Sequence, residues 1–90
     1  KKYQQETFFI VTNHGEQVYQ AISKATNHGA TILDGEGPYE HTERQVVYSV
    51  VSSAESKKVR KAVKEADPNA FINVVKTERL FGHFYYKPND

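Results

Sequence analysis

The 90-residue chain contains no cysteine, no methionine and no tryptophan. Without cysteine it has no disulfide, no cysteine-ligated zinc and no thiol nucleophile. Its longest purely apolar run has four residues, Phe8 to Val11, which is too short to span a membrane. Its 12 basic and 11 acidic residues leave a net charge of +1. Nucleic-acid-binding domains usually carry a large basic excess, so we expect no nucleic-acid partner.

The length allows one domain with one modest core, and the apolar fraction of 38% is typical of a globular chain. We interpret residues 1–90 as a single domain, with 1–6 as a linker and 80–90 as an aromatic tail. Because no methionine is present to start translation, we expect the chain to be part of a longer protein.

Apolar patterning predicts four strands and two helices in the order strand, helix, strand, strand, helix, strand. The predicted strands are Thr7–Val11, Thr31–Leu33, Gln45–Val51 and Ala70–Val75. Capping patterns start the helices at Asn13 with Glu16 and at Ser52 with Glu55. Gly29 and Asp67-Pro68 are expected to stop them. With right-handed crossovers this order predicts an α+β, ferredoxin-like βαββαβ sandwich, a four-stranded antiparallel sheet with two helices on one face.

The predicted strands are apolar on both faces, whereas two helices can cover only one. The alternating sets that contain Ser49 and Asn73 are the more polar, so we assign them, with Val47, to the uncovered face. An open face with so many large apolar groups predicts a cover. The cover is a second subunit, the parent protein or the aromatic tail folded back.

A glycine-rich segment, Asp34 to Thr42, is predicted to be a loop. Its glycines let backbone amides approach a ligand, while nearby hydroxyls and one arginine supply polar contacts. The candidate ligand-binding residues are Thr31, Asp34, Gly35, Glu36, Gly37, Tyr39 and Arg44. The alternative is that the glycines serve only a tight connection.

Other chemistry is weakly indicated. The four histidines are scattered and form no metal-ligand spacing, and no serine, histidine and acid are grouped, so we expect no metal, no cofactor and no catalytic residue. The basic run from Lys57 to Lys64 suits a solvated face, an anionic membrane surface or an acidic partner. Acylphosphatase, RNA-recognition and metal-chaperone signatures are absent. An ACT-like amino-acid-binding module, with its ligand near Asn13 and Gly15, stays open.

Two segments carry a family resemblance. His28-Gly29-Ala30-Thr31-Ile32-Leu33-Asp34-Gly35-Glu36-Gly37-Pro38-Tyr39 resembles one signature of a bacterial domain of unknown function, and Asp67-Pro68-Asn69-Ala70-Phe71-Ile72 resembles its second. That domain is the C-terminal part of YitT-type integral membrane proteins. One departure is His28, which stands where the family commonly has arginine.

The resemblance implies a ferredoxin-like shape related to PII signalling proteins, a parent in the bacterial cell membrane and a cytoplasmic location for this domain. PII-like domains trimerise through their sheets and bind nucleotides or other effectors between subunits. We therefore expect a regulatory, ligand-sensing and oligomerising module, with the parent's transmembrane helices as partners. A purely structural assembly domain is the alternative, and an enzyme is less favoured.

Overall fold

The computed structural model describes residues 4–36 and 43–82. The elements in chain order are β1 (Gln5–Thr12), α1 (Gly15–Ala25), β2 (Thr31–Glu36), β3 (Glu43–Ser52), a 3₁₀ turn (Ser53–Glu55), α2 (Ser56–Ala66) and β4 (Phe71–Thr77). The strands form one four-stranded sheet in the order β2-β3-β1-β4, and every neighbouring pair is antiparallel. The predicted ferredoxin-like α+β fold is confirmed.

The core lies between the helices and one face of the sheet. Its completely buried side chains come from β1, β3 and both helices: Phe8, Ile10, Val18, Ile22, Val47, Val51, Val59 and Val63. In the β1–β3 register Ile10 lies opposite Val47, so the two central strands present these apolar side chains to the helices together. Each such side chain contributes about 1.5–3 kcal/mol through burial.

The prediction of which β3 face points to the helices is wrong. Ser49 lies opposite Phe8 and is buried beneath the helices, together with Val47. Its hydroxyl donates a hydrogen bond to the Gly29 carbonyl at 2.9 Å, which removes the cost of burying a polar group. For β4 the assignment is right, because Asn73 is exposed on the uncovered face.

The two predicted capping boxes have different outcomes. Ser52 and Glu55 form one at the 3₁₀ turn, where the Ser52 hydroxyl donates to Glu55 Oε1 at 2.9 Å. At α1 the predicted box is absent. The N-cap residue is His14, and its N–H donates to Thr12 Oγ1 at 2.9 Å. Thr12 therefore closes the turn that precedes α1, and the side chain of His14 makes no capping hydrogen bond.

His28 is a buried structural residue. Its Nε2 lies 2.9 Å from Glu55 Oε1, the same oxygen that accepts from Ser52. Its backbone N–H donates to Thr26 Oγ1 at 3.0 Å. The segment after α1 is thereby fastened to the start of α2, at the end of the sheet where β3 finishes.

The boundaries of β1 and β2 differ from the linker and loop that the sequence predicts, and those of β3 and β4 differ by one or two residues. β1 begins at Gln5, inside the predicted linker. β2 continues to Glu36 through residues predicted to be loop, since Asp34, Gly35 and Glu36 pair with β3. Residues 80–82 of the predicted tail are exposed, and the rest of that tail lies outside the described residues. Within the described ranges, neither helix has the length and apolar character needed to cross a bilayer.

Candidate functional site

Three connections meet at one end of the sheet, where β1 and β2 finish and β3 and β4 begin. They are the β1–α1 turn, the α2–β4 turn and the two flanks of the β2–β3 connection. The antiparallel topology places them together although they are far apart in sequence. The hydrogen-bonded side chains of Thr12, Asp34, Gln45 and Asp67 lie at this end.

Asp67 joins two of these connections. Thr12 Oγ1 donates to Asp67 Oδ2 at 2.5 Å, and the Asn69 N–H donates to Asp67 Oδ1 at 3.0 Å. The hydrogen bond from the Thr12 hydroxyl lowers the pKa of Asp67, and the Asn69 N–H, His14 and Lys64 lower it further, against the opposing effect of burial. The Asp67 carboxylate is therefore a charged brace between the β1–α1 and α2–β4 turns.

Gln45 joins the third connection to α1. Its Oε1 accepts from the Gly15 N–H at 2.8 Å, and its Nε2 donates to Asp34 Oδ1 at 3.4 Å. A Cβ at Gly15 would overlap the Gln45 amide, so glycine is needed for this contact. Gln45 fills the space in front of the first turn of α1.

Two clefts open at this end and share Asn13. The larger, about 610 Å³, is lined by Asn13, Asp34, Gly35, Glu36 and Gln45. The smaller, about 190 Å³, is lined by Val11, Thr12, Asn13, His14, Arg44, Asp67 and Asn69. The first has acidic walls from Asp34 and Glu36, whereas the second has Arg44 and His14 beside Asp67. A ligand with both anionic and donor groups would match this polarity.

The predicted ligand residues do not all come together. Asp34, Gly35 and Glu36 line the larger cleft, and Arg44 pairs with Gly35 but lines the smaller one. Thr31 lies four residues before Gly35 on β2, which is about 13 Å along the strand. It lines a different cleft of about 310 Å³. Gly37 and Tyr39 lie outside the described residues.

Several residues of the site were not among the predicted set, and most of them lie in turns. The sequence predicts Asn13 as a helix cap and Asp67 as part of a helix stop. As ligand contacts, Asn13 is indicated only by the ACT-like alternative, and Asp67 and Asn69 are not indicated at all. Nothing in the local sequence marked Gln45. In the described residues no three histidine or carboxylate side chains converge in a way that would hold a metal ion.

The uncovered face of the sheet is the second notable surface. Five large apolar side chains on it are exposed by 36% to 67%: Phe9, Leu33, Tyr48, Phe71 and Val75. Phe9 and Tyr48 face each other across β1 and β3 with ring centroids 5.5 Å apart. We call these five residues, with the half-buried Val11, Val46 and Val50 beside them, the open sheet face.

Solved structures show the same fold. A crystal structure of a DUF2179 protein from Eubacterium ventriosum superposes with a TM-score of 0.65 at 32% identity, covering 80% of this chain and 99% of that one. CPII from Thiomonas intermedia, a nitrogen regulatory PII-like protein bound to ADP, AMP and bicarbonate, superposes with a TM-score of 0.58 at 15% identity, covering 89% and 98%. The second likeness concerns the fold alone.

Sequence comparison gives the family. The membrane protein YitT of Bacillus subtilis, of the UPF0750 group, is 32% identical over 78 residues, which are 87% of this chain. The chain spans 28% of YitT's length. Residues 28–82 match the family described as uncharacterized protein conserved in bacteria, DUF2179. Since that match covers more than half of the residues, the chain belongs to the DUF2179 family.

Proposed function

We propose that this domain is a cytoplasmic regulatory module of a bacterial membrane protein, which self-associates through its open sheet face and senses a small effector. The observation that carries the proposal is the open sheet face itself. Its exposed aromatic and aliphatic groups come from all four neighbouring strands of the sheet. Such patches on soluble domains mark interaction sites.

A second copy of the chain is the partner that this surface fits best. The face carries no described Lys, Arg, Asp or Glu side chain among its central positions, where Phe9, Tyr48 and Asn73 are neighbours in register. Interface cores are depleted of charge and enriched in aromatic groups. The proposed role is non-catalytic, and the parent's transmembrane helices would be the element that it regulates.

The first experiment is a molecular-mass measurement across a concentration series by sedimentation velocity. We expect an oligomer at micromolar concentration that dissociates on dilution. A chain that stays monomeric at the highest concentration would contradict self-association, whatever its effector response.

The effector is proposed to bind at the sheet end that holds the two clefts, with an adenine nucleotide as the first candidate. Support comes from the cationic Arg44, which lines the smaller cleft with the polar side chains of Asn13, His14 and Asn69 and suits an anionic group. It also comes from the shared fold with a PII-like protein that is described as binding ADP and AMP. Asp34, Gly35 and Glu36 would form the remaining wall. Gly37 and Tyr39 stay candidates from the sequence, and Thr31 is a more distant candidate.

Thermal melting with ADP, AMP and bicarbonate tests the effector. A ligand at about a hundred times its dissociation constant stabilises the native state by about 2.7 kcal/mol, which raises the midpoint of a domain this size by about 10 °C or more. Arg44→Gln should remove that rise, whereas Arg79→Gln, the same change at an exposed residue beyond β4, should keep it. If no compound raises the midpoint of an oligomeric chain, the domain is the structural assembly module instead.

Gly35→Val separates a ligand contact from a structural turn. Gly35 lies in β2 without a positive φ, and a Cβ there would meet only the Arg44 carbonyl oxygen, at 3.6 Å. Valine favours strands, so the variant should melt within about 3 °C of the wild type and lose the effector-dependent rise. A variant that melts far lower would show that Gly35 has a structural role.

A further inference from the structure

The outer surface of α2 is almost entirely cationic. Six of its positions are exposed, and one of them is acidic, Glu65. The other five are Lys57, Lys58, Arg60, Lys61 and Lys64. We call these five residues the α2 basic face.

The charge of the molecule is distributed unevenly. The two helices together contain six basic and two acidic residues, a net charge of +4. The whole chain has a net charge of only +1, so the residues outside the helices sum to −3. A near-neutral chain with its positive charge concentrated on one layer has a directional field, which orients it toward an anionic partner.

Two features indicate that this charge is not required by the fold. Lys57 and Lys58 lie in the first turn of α2, where the helix dipole disfavours cations. Among residues 4–36 and 43–82, no carboxylate forms an ion pair with the α2 basic face. Only Lys64 has a described internal role, donating to the carbonyls of Pro68 and Ala70.

The α2 basic face offers a partner charge and no apolar surface. The apolar stripe of α2 is already used, since Val59 and Val63 are completely buried in the core. The helix therefore has no free apolar side with which to insert into a bilayer or an apolar groove. Its partner must be recognised by negative charge at a surface, and the contact must weaken as salt rises.

We propose that the α2 basic face binds the anionic phospholipid headgroups of the membrane in which the parent protein resides. The related YitT is a membrane protein, and this chain spans 28% of its length. A domain tethered to a bilayer meets its surface at high effective concentration, so contacts that are weak individually suffice. A basic residue near an anionic surface strengthens binding roughly fivefold. Nucleic acid is disfavoured because the whole chain lacks a basic excess.

This placement leaves the opposite side of the molecule free. The helices cover one face of the sheet, so a domain lying on lipid through α2 directs its open sheet face away from the bilayer. Lipid contact and self-association would then use different surfaces. The inference does not depend on an effector, and its test is independent of the mass measurement.

Vesicle sedimentation with the 90-residue chain tests the proposal. We expect binding to phosphatidylcholine vesicles that contain about one-third phosphatidylglycerol, no binding to pure phosphatidylcholine, and loss of binding near 1 M salt. The double variant Lys57→Gln and Lys61→Gln should bind roughly thirtyfold more weakly. The control is the double variant Lys76→Gln and Arg79→Gln, which removes the same two positive charges from positions outside the helices. It should bind within about threefold of wild type.

Glu65→Gln provides a gain of function that misfolding cannot imitate. It removes the one exposed acidic group of α2 and should strengthen vesicle binding several-fold, with a circular dichroism spectrum equal to that of wild type. The proposal is overturned if vesicle binding ignores phosphatidylglycerol or salt. It is also overturned if the double variant Lys57→Gln and Lys61→Gln binds vesicles as tightly as wild type. The same holds if the two double variants lose vesicle binding equally. Binding to polyglutamate with none to anionic vesicles would assign the face to an acidic protein instead.

Discussion

Val47→Glu is expected to unfold the domain. Val47 is completely buried between β3 and the helices, where no described basic side chain is available to pair with a new carboxylate. Burying an unpaired charge costs several kcal/mol, and domains of this class have only about 5–15 kcal/mol of stability. We expect the far-UV circular dichroism spectrum of an unfolded chain at 25 °C. If the variant still folds, its melting midpoint should lie about 20 °C or more below that of wild type.

Tyr48→Glu, one residue further along the same strand, is expected to have a different effect. Tyr48 lies on the open sheet face and contacts Phe9, so the glutamate would stay in water in the monomer. The fold should persist with a small loss of stability, about 0.5–1.5 kcal/mol from the lost aromatic pair. In an oligomer the same carboxylate would be buried in an apolar interface. Self-association should weaken by about a thousandfold or more.

The two variants together distinguish folding from assembly, measured by circular dichroism and sedimentation velocity on the same samples. Phe71 is more exposed than Tyr48 and lies in β4 on the same open sheet face. Phe71→Glu should therefore also keep the fold and weaken self-association. A folded Val47→Glu would contradict the assignment of the β3 faces. Tyr48→Glu and Phe71→Glu chains that associate as strongly as wild type would place the interface elsewhere.

The assignment of β3 shows where sequence reasoning fails in this fold. The order of elements follows from apolar periodicity and capping, and the topology follows from that order. The orientation of one strand does not, because it depends on a tertiary partner. Ser49 reads as polar, yet the Gly29 carbonyl accepts its hydrogen bond inside the core. The two faces of β3 carry the same number of valines, so these side chains do not indicate which face is buried: Val46 and Val50 on one, Val47 and Val51 on the other.

The end of β2 shows a related limit. Asp34 and Gly35 have the local preference of a turn, but pairing with Gln45 and Arg44 holds them in the sheet. Cross-strand pairing outweighs a local preference of this size.

The candidate site was predictable in its parts and not in its assembly. The family resemblance is confirmed, and its two signatures contained Asp34, Gly35 and Asp67. Only the antiparallel topology shows that Asp34 and Gly35 of the first signature lie at the same end of the sheet as Asp67 of the second. Asn13 lines both of the clefts at that end. Thr12 and Gln45 carried no signal, because their importance lies in hydrogen bonds to residues 55 and 30 positions away.

The Asp67 brace makes a prediction about acid. Its pKa is lowered in the folded state, first by the Thr12 hydroxyl, so the folded chain holds this proton less tightly than the unfolded chain. The carboxylate therefore stabilises the domain above the ordinary aspartate pKa, and that contribution disappears as the pH falls through the lowered folded value. Asp67→Asn should reduce the unfolding free energy most near pH 7, and the difference from wild type should shrink below about pH 4.

Thr12→Val is the matched variant, since it removes the largest cause of the lowered pKa and keeps the carboxylate. Urea unfolding at several pH values should show that its deficit relative to wild type is also largest at neutral pH and narrows in acid. Comparing each variant with wild type at the same pH cancels the titration of the other acidic groups. A deficit that is constant with pH would mean that the two turns are held together by packing, and that the charge on Asp67 contributes nothing. Both turns border the clefts, so either variant should also reduce the rise in melting midpoint that an effector causes at pH 7. A variant that is less stable but keeps the full rise would show that Asp67 does not contribute to effector binding.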